Sequence, residues 1–125
     1  MNGYSISSRP VVLLVEDELL VRMATADALT DAGFDVIETA HAQAALEVLQ
    51  HRDDIRVLFT DVKMPGSMDG LELADLVRRR WPHIPIVITS GHLKPESVRL
   101  PDDAVFIAKP YGEKAPAVAI QALLV

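Results

Sequence analysis

The stretch that decides the fold is "VLFTDVKMPGSMDG", residues 57–70. An apolar run ends on a bare carboxylate, Asp61, and the chain then turns through Met64, Pro65 and Gly66. A short continuous run of this kind, here "IRVLFT" (55–60), is the mark of a strand buried on both faces. An acid at the end of such a strand has two readings. Asp is common in turns, where its side chain bonds nearby backbone. Alternatively the carboxylate is placed for chemistry, and then other polar groups converge on it from elsewhere in the chain.

Working outward, "VVLLV" (11–15) is a run of the same type, and it ends in Glu16–Asp17. "FDVIET" (34–39) alternates as a strand does and ends in Glu38–Thr39. "IPIVITS" (84–90) ends in Thr89–Ser90, with Gly91 after it, and "AVFIA" (104–108) ends in Lys109–Pro110. Between these runs the apolar residues recur at helical spacing. Val21, Thr25, Ala28, Leu29 and Ala32 form one set, with Gly33 as a C-terminal cap. Ala42, Ala45, Leu46 and Leu49 form a second. Asp69 caps a third helix carrying Leu73, Leu76 and Val77, which Trp81–Pro82 ends. Ala119, Ile120, Leu123 and Leu124 mark the last. The segment 92–103, broken by Pro95 and Pro101, supports at most about one turn of helix.

Strand followed by helix, repeated through the chain, implies a parallel sheet with helices on both faces. The 125 residues suit one domain, half of them hydrophobic and a quarter charged, enough for one core. Residues 1–10 read as a loose tail and 11–125 as the domain. The net charge of −6 argues against attraction to nucleic acid phosphates. The absence of cysteine excludes disulfides and thiolate metal sites. No apolar run approaches the ~20 residues that span a bilayer, and the N-terminus lacks a signal-peptide pattern, so the cytoplasm is the expected compartment.

In open parallel sheets, ligands bind outside the C-terminal strand ends, at the switch in strand order. With the order 2-1-3-4-5, one rim collects Glu16, Asp17, Asp61, Thr89 and Lys109. Three carboxylates at ~5 Å repel by on the order of 3 kcal/mol per pair at an effective dielectric near 20. A hard cation relieves this, and Mg²⁺ takes one or two carboxylates while keeping positions open for phosphoryl oxygens. Lys109 adds a second positive charge and Thr89 a hydrogen-bond donor. An ionised Asp61 between them is a competent nucleophile toward an activated phosphorus. Taken singly, each has a bland reading: Glu16 and Asp17 as helix caps, Asp61 as a turn residue, Thr89 as a strand-end hydroxyl and Lys109 as a surface lysine.

Taken together, "LLVEDE", "FTDVKMPGSMDGLEL", "ITSG" and "FIAKPY" resemble the four signatures of the receiver domain of two-component response regulators, over nearly the whole chain from Val11. The resemblance implies a flavodoxin-like (βα)5 sandwich, here with a short or irregular fourth helix. It implies that Asp61 accepts a phosphoryl group from a phosphohistidine on a sensor histidine kinase or histidine phosphotransfer protein. Asp17 and Asp61, with Glu16 directly or through water and the backbone carbonyl of Lys63, would hold Mg²⁺ (or Mn²⁺). Thr89 would bind the phosphoryl group and move with it, and Lys109 would pair with it. Pro110 would follow a cis peptide bond, and Phe106 would be the aromatic switch. The chain is expected to be a monomer or weak dimer with no output domain of its own, or a piece of a longer regulator or hybrid kinase. Its loop "MPGSMDG" is one residue longer than the commonest family form.

Three other readings stand beside it. A haloacid dehalogenase-type phosphatase needs a second Asp two residues after the nucleophile, where this chain has Lys63. A flavodoxin-type flavin carrier needs a hydroxyl- and glycine-rich loop after the first strand, where this chain has "EDELL". A receiver that folds but is not phosphorylated would lack one of the main site residues, all of which are present.

Overall fold

The structure is a computed structural model that describes residues 9–97 and 99–125. Five parallel strands form one sheet: β1 (Val11–Val15), β2 (Asp35–Thr39), β3 (Ile55–Asp61), β4 (Ile86–Ser90) and β5 (Val105–Ala108). Their order is β2-β1-β3-β4-β5, as expected. Four α-helices cover it: α1 (Leu19–Asp31), α2 (Ala42–His51), α3 (Gly70–Arg80) and α4 (Ala115–Leu124). Between β4 and β5 there is one 3-10 turn, Pro95–Ser97.

The two-residue period of the strands sorts the core into two layers. Leu13, Val15, Leu58, Ile86 and Ile88 pack with Ala45, Leu49, Leu73 and Val77 under α2 and α3. Val12, Leu14, Val57, Phe59 and Val87 pack with Ala26, Leu29, Ala117 and Ile120 under α1 and α4. Each central strand therefore buries both faces, which is why its sequence reads as a continuous apolar run. In place of a fourth α-helix between β4 and β5, Leu93, Leu100 and Ala104 cover part of the α2–α3 face, and β5 is only half-buried.

Local chemistry sets the helix ends. Asp69 accepts from the Glu72 amide at 2.9 Å and the Glu72 carboxylate accepts from the Asp69 amide at 3.0 Å, a complete capping box. His41 caps α2 by accepting from the Ala44 amide at 3.2 Å. Gly33 follows α1 with φ +104, the left-handed conformation that glycine adopts without steric cost. The arginine run Arg78–Arg80 at the end of α3 ties the helix to the turn that follows. Arg78 donates to the Pro82 carbonyl at 3.1 Å, and Arg80 lies 4.7 Å from the Trp81 ring centroid.

Of the expected N-terminal tail, residues 1–8 lie outside the described residues. Arg9 and Pro10 are tied to the start of β2. The Asp35 amide donates to the Pro10 carbonyl at 3.0 Å, and Arg9 Nε donates to Asp35 Oδ1 at 2.9 Å.

Candidate functional site

The C-terminal strand ends meet where β1, β3, β4 and β5 lie side by side. Glu16 and Asp17 follow β1, Asp61 closes β3, and Thr89 is its register partner on β4. Lys109 follows β5, bonded through its amide to the Ser90 carbonyl at 3.0 Å. One carboxylate oxygen from each of Glu16, Asp17 and Asp61 lies within 4.8 Å of the other two. Glu16 and Asp61 are buried and Asp17 is exposed, so the cluster opens to solvent on one side.

Lys109 is the cation of this cluster. Its Nζ donates to Glu16 Oε1 at 2.6 Å and lies 3.3 Å from Asp61 Oδ2. Asp61 Oδ1 accepts from the Val62 amide at 2.9 Å. Glu16 Oε2 accepts from the Glu18 amide at 3.1 Å. Neither Glu16 nor Asp17 caps α1, whose N-cap is Glu18 without a side-chain bond, so the capping reading of these acids fails.

The electrostatics follow from one ammonium among three acids. Burial raises the Glu16 carboxyl above its ordinary value, against the opposing effect of Lys109 and the Glu18 amide. Burial likewise raises Asp61, although Lys109 and the Val62 amide oppose it. For Lys109, burial works to lower the pKa, but the bond to Glu16 and the charges of Asp61 and Glu16 outweigh it and hold it above the usual value. A charge deficit remains that a divalent cation of hard oxygen-ligand type fits.

Thr89 Oγ1 is buried and has no hydrogen-bond partner among the described residues. A buried unpaired hydroxyl costs about 1–3 kcal/mol, and this one keeps its donor capacity free for an oxygen that enters the site. The Lys109–Pro110 peptide is cis. Lys63 is exposed in the loop after β3. Phe106 is not in the cluster. It lies half-buried on the α2–α3 face, paired in register with Ile88.

The profile of the response regulator receiver domain family matches residues 12–115. The chain belongs to this family. A crystal structure of a response regulator receiver protein from Sinorhizobium medicae WSM419 matches with a TM-score of 0.85 at 31% identity, over 94% of this chain and 95% of that one. The sensor kinase CckA of Brucella abortus (strain 2308) is 36% identical over 123 residues, 95% of this chain and 13% of that protein. The response regulator protein FleR of Pseudomonas aeruginosa is 41% identical over 81 residues, 65% of this chain and 17% of that protein. The receiver thus spans less than a fifth of the length of these two curated relatives. The family match gives no support to the phosphatase or flavin-carrier readings.

Two residues of this receiver escape a sequence reading of the site. A Cβ on Gly70 would sit 1.8 Å from the Asp61 carbonyl oxygen, so only glycine lets α3 start against the end of β3. The Gly70 amide donates to the Val62 carbonyl at 2.8 Å and fixes that contact. The signal was in the opening stretch, a glycine directly after the cap residue Asp69. Ser90 is the other: its Oγ accepts from the His92 and Leu93 amides, both at 3.1 Å, and shapes the loop after Thr89.

Proposed function

We propose that this receiver accepts a phosphoryl group on Asp61 from a phosphohistidine of a sensor histidine kinase or a histidine phosphotransfer protein. The observation that carries the reading is the unpartnered, buried Thr89 hydroxyl, one strand from Asp61 and in register with it. An acidic cluster alone is common. An acidic cluster with its own ammonium and an unsatisfied hydroxyl on the next strand suits a bound phosphoryl group.

In this reading an Asp61 carboxylate oxygen attacks phosphorus and forms the O–P bond. The P–N bond to the donor imidazole breaks, its electron pair returning to the ring nitrogen. The Val62 amide holds Asp61 Oδ1, so the carboxylate is oriented before the donor arrives. Lys109 turns from Glu16 toward the phosphoryl oxygens, and Thr89 donates to one of them. The carboxylates of Glu16, Asp17 and Asp61 and the Lys63 carbonyl would hold Mg²⁺ (or Mn²⁺), which when bound neutralises charge on the phosphoryl oxygens. Half-buried Phe106 is the aromatic that responds on the α2–α3 face.

The donor docks on α1, where Leu19, Leu20 and Met23 are 56%, 78% and 50% exposed beside the cluster. We place the receiver unit at residues 11–125, acting in the cytoplasm as a monomer or weak dimer that does not bind nucleic acid. The chain performs only its own phosphorylation and dephosphorylation. No helix among the described residues is long and apolar enough to cross a membrane.

The test is intact mass after incubation with acetyl phosphate, with and without Mg²⁺, beside Asp61→Asn. One phosphoryl adduct that requires Mg²⁺ and is lost in the variant is expected. No adduct, together with no binding of beryllofluoride, would refute the reading and leave a constitutive interaction module.

A further inference from the structure

One face of α1 bonds both chain segments that carry the Lys109–Glu16 ion pair. On the acceptor side, Arg22 of α1 donates to the Glu16 carbonyl at 2.9 Å and reaches Glu38 at 3.4 Å. On the donor side, Thr25, one turn further along the same helix face, shares a 2.8 Å hydrogen bond with the hydroxyl of Tyr111. Tyr111 is two residues beyond Lys109 in the turn after β5, and 86 residues from Thr25. A polar side chain on the buried face of α1 is otherwise unexplained. Thr25 is 4% exposed, among Ala26 and Leu29, where an alkyl group would pack as well.

The Tyr111 ring meets Phe59 edge-on, with centroids 6.2 Å apart and planes at 83°. It forms a wall of two surface grooves, one against Val21 and Ala24 and one against Ala28 and Pro116. Beside this ring contact, the hydroxyl's bond to Thr25 supplies a second fixed point. Burial keeps that hydroxyl above its ordinary pKa, so it is neutral and able to donate or accept.

We propose that Tyr111 and Thr25 are positioning residues for Lys109: their hydrogen bond clamps the turn after β5 to α1 and so sets where the ammonium stands among Glu16, Asp61 and an incoming phosphoryl group. The part that concerns the phosphoryl group rests on the function proposed above. The clamp also joins the exposed donor-docking face of α1 to the reacting centre, on the Lys109 side as the Arg22 bond does on the Glu16 side. A donor that shifts α1 shifts Lys109 with it.

The test reads Lys109 directly, without phosphoryl chemistry. The side-chain ammonium signal of Lys109 is followed by nitrogen-15 NMR in the metal-free full chain, assigned by its loss in Lys109→Arg. Its exchange with water is measured in the parent, Tyr111→Phe, Thr25→Val, Thr25→Ser and the Tyr111→Phe/Thr25→Val pair. Each of Tyr111→Phe and Thr25→Val is expected to speed exchange by about two- to tenfold, the range one neutral hydrogen bond supports. The pair should be no faster than either single change, because both remove the same bond. Thr25→Ser, which keeps the hydroxyl, should return exchange to the parent rate.

Unchanged exchange in a folded Thr25→Val would overturn the clamp, as would additive effects in the pair. If Tyr111→Phe does not fold, the contrast between Thr25→Val and Thr25→Ser decides alone. Beryllofluoride binding by the parent is measured alongside with Mg²⁺. Its absence, together with the absence of an acetyl phosphate adduct, would overturn the phosphoryl reading of the site, while the exchange result still decides the clamp.

Discussion

Replacing the phosphoryl acceptor with its neutral isostere, Asp61→Asn, should stabilise the metal-free protein. Asp61 shares its site with two other carboxylates no more than 4.8 Å away. At an effective dielectric near 20, a pair at that distance repels by about 3.5 kcal/mol. The Glu16 repulsion applies nearly in full, because both groups are buried, and that of exposed Asp17 is reduced by solvent. Lys109, 3.3 Å from Asp61 Oδ2, returns about 5 kcal/mol on the same scale, but it is shared with Glu16 at 2.6 Å. Attraction and repulsion nearly cancel, which leaves the burial of the carboxylate itself as the deciding cost. Asparagine removes that cost, and its Oδ1 still accepts from the Val62 amide. The expected gain is about 1–2 kcal/mol, or about 3–8 °C in Tm for a chain of this size. Urea unfolding at pH 7 with a chelator present measures it. Adding Mg²⁺ at about ten times its Kd should return about 1.4 kcal/mol to the parent and less to the variant, so the gap closes. A variant less stable than the parent by 1 kcal/mol or so without Mg²⁺ would refute the reasoning, since it would mean that Lys109 over-compensates the cluster.

The remaining predictions follow from the same site. Glu16 and Asp61 have folded pKa values raised above 4.5 and 3.8, so each contributes stability below those values that is lost as pH rises through the folded pKa. The advantage of Asp61→Asn in the metal-free protein should therefore be small near pH 4 and grow toward neutrality, and urea midpoints across that range check it. Thr89→Val removes a buried hydroxyl that has no partner among the described residues, and should leave stability unchanged or raise it by up to about 1 kcal/mol. The same variant should slow phosphorylation by acetyl phosphate, so a loss of stability by urea unfolding would count against an orphaned hydroxyl. Gly70→Ala places a methyl group 1.8 Å from the Asp61 carbonyl oxygen, which neither backbone segment can yield to cheaply. It should cost about 3 kcal/mol or more in urea unfolding, and a cost under about 1 kcal/mol would show that α3 can start elsewhere.

The sequence by itself determined the strands and the rim. "VVLLV", "VLFT" and "IVITS" read as buried strands because both of their faces are covered, and that coverage keeps charged residues out of the run. The polar residues that end each run, Glu16 and Asp17, Asp61, Thr89 and Lys109, were legible for the same reason: they stand where the apolar pattern stops. The weakness of segment 92–103 was legible too, since two prolines leave no room for a helix, and one 3-10 turn is what forms. Tertiary structure alone decided how these groups share their charges. Lys109 stands nearer Glu16 than Asp61, at 2.6 against 3.3 Å, a difference set by the register of strands far apart in the chain. Likewise only the packing of α1 on the turn after β5 brings Thr25 to Tyr111, and only the start of α3 against β3 makes Gly70 indispensable. Periodicity is a local property of the chain and survives in one sequence. A contact between residues 86 apart depends on the docking of whole elements to within a fraction of an ångström, and no local pattern records it.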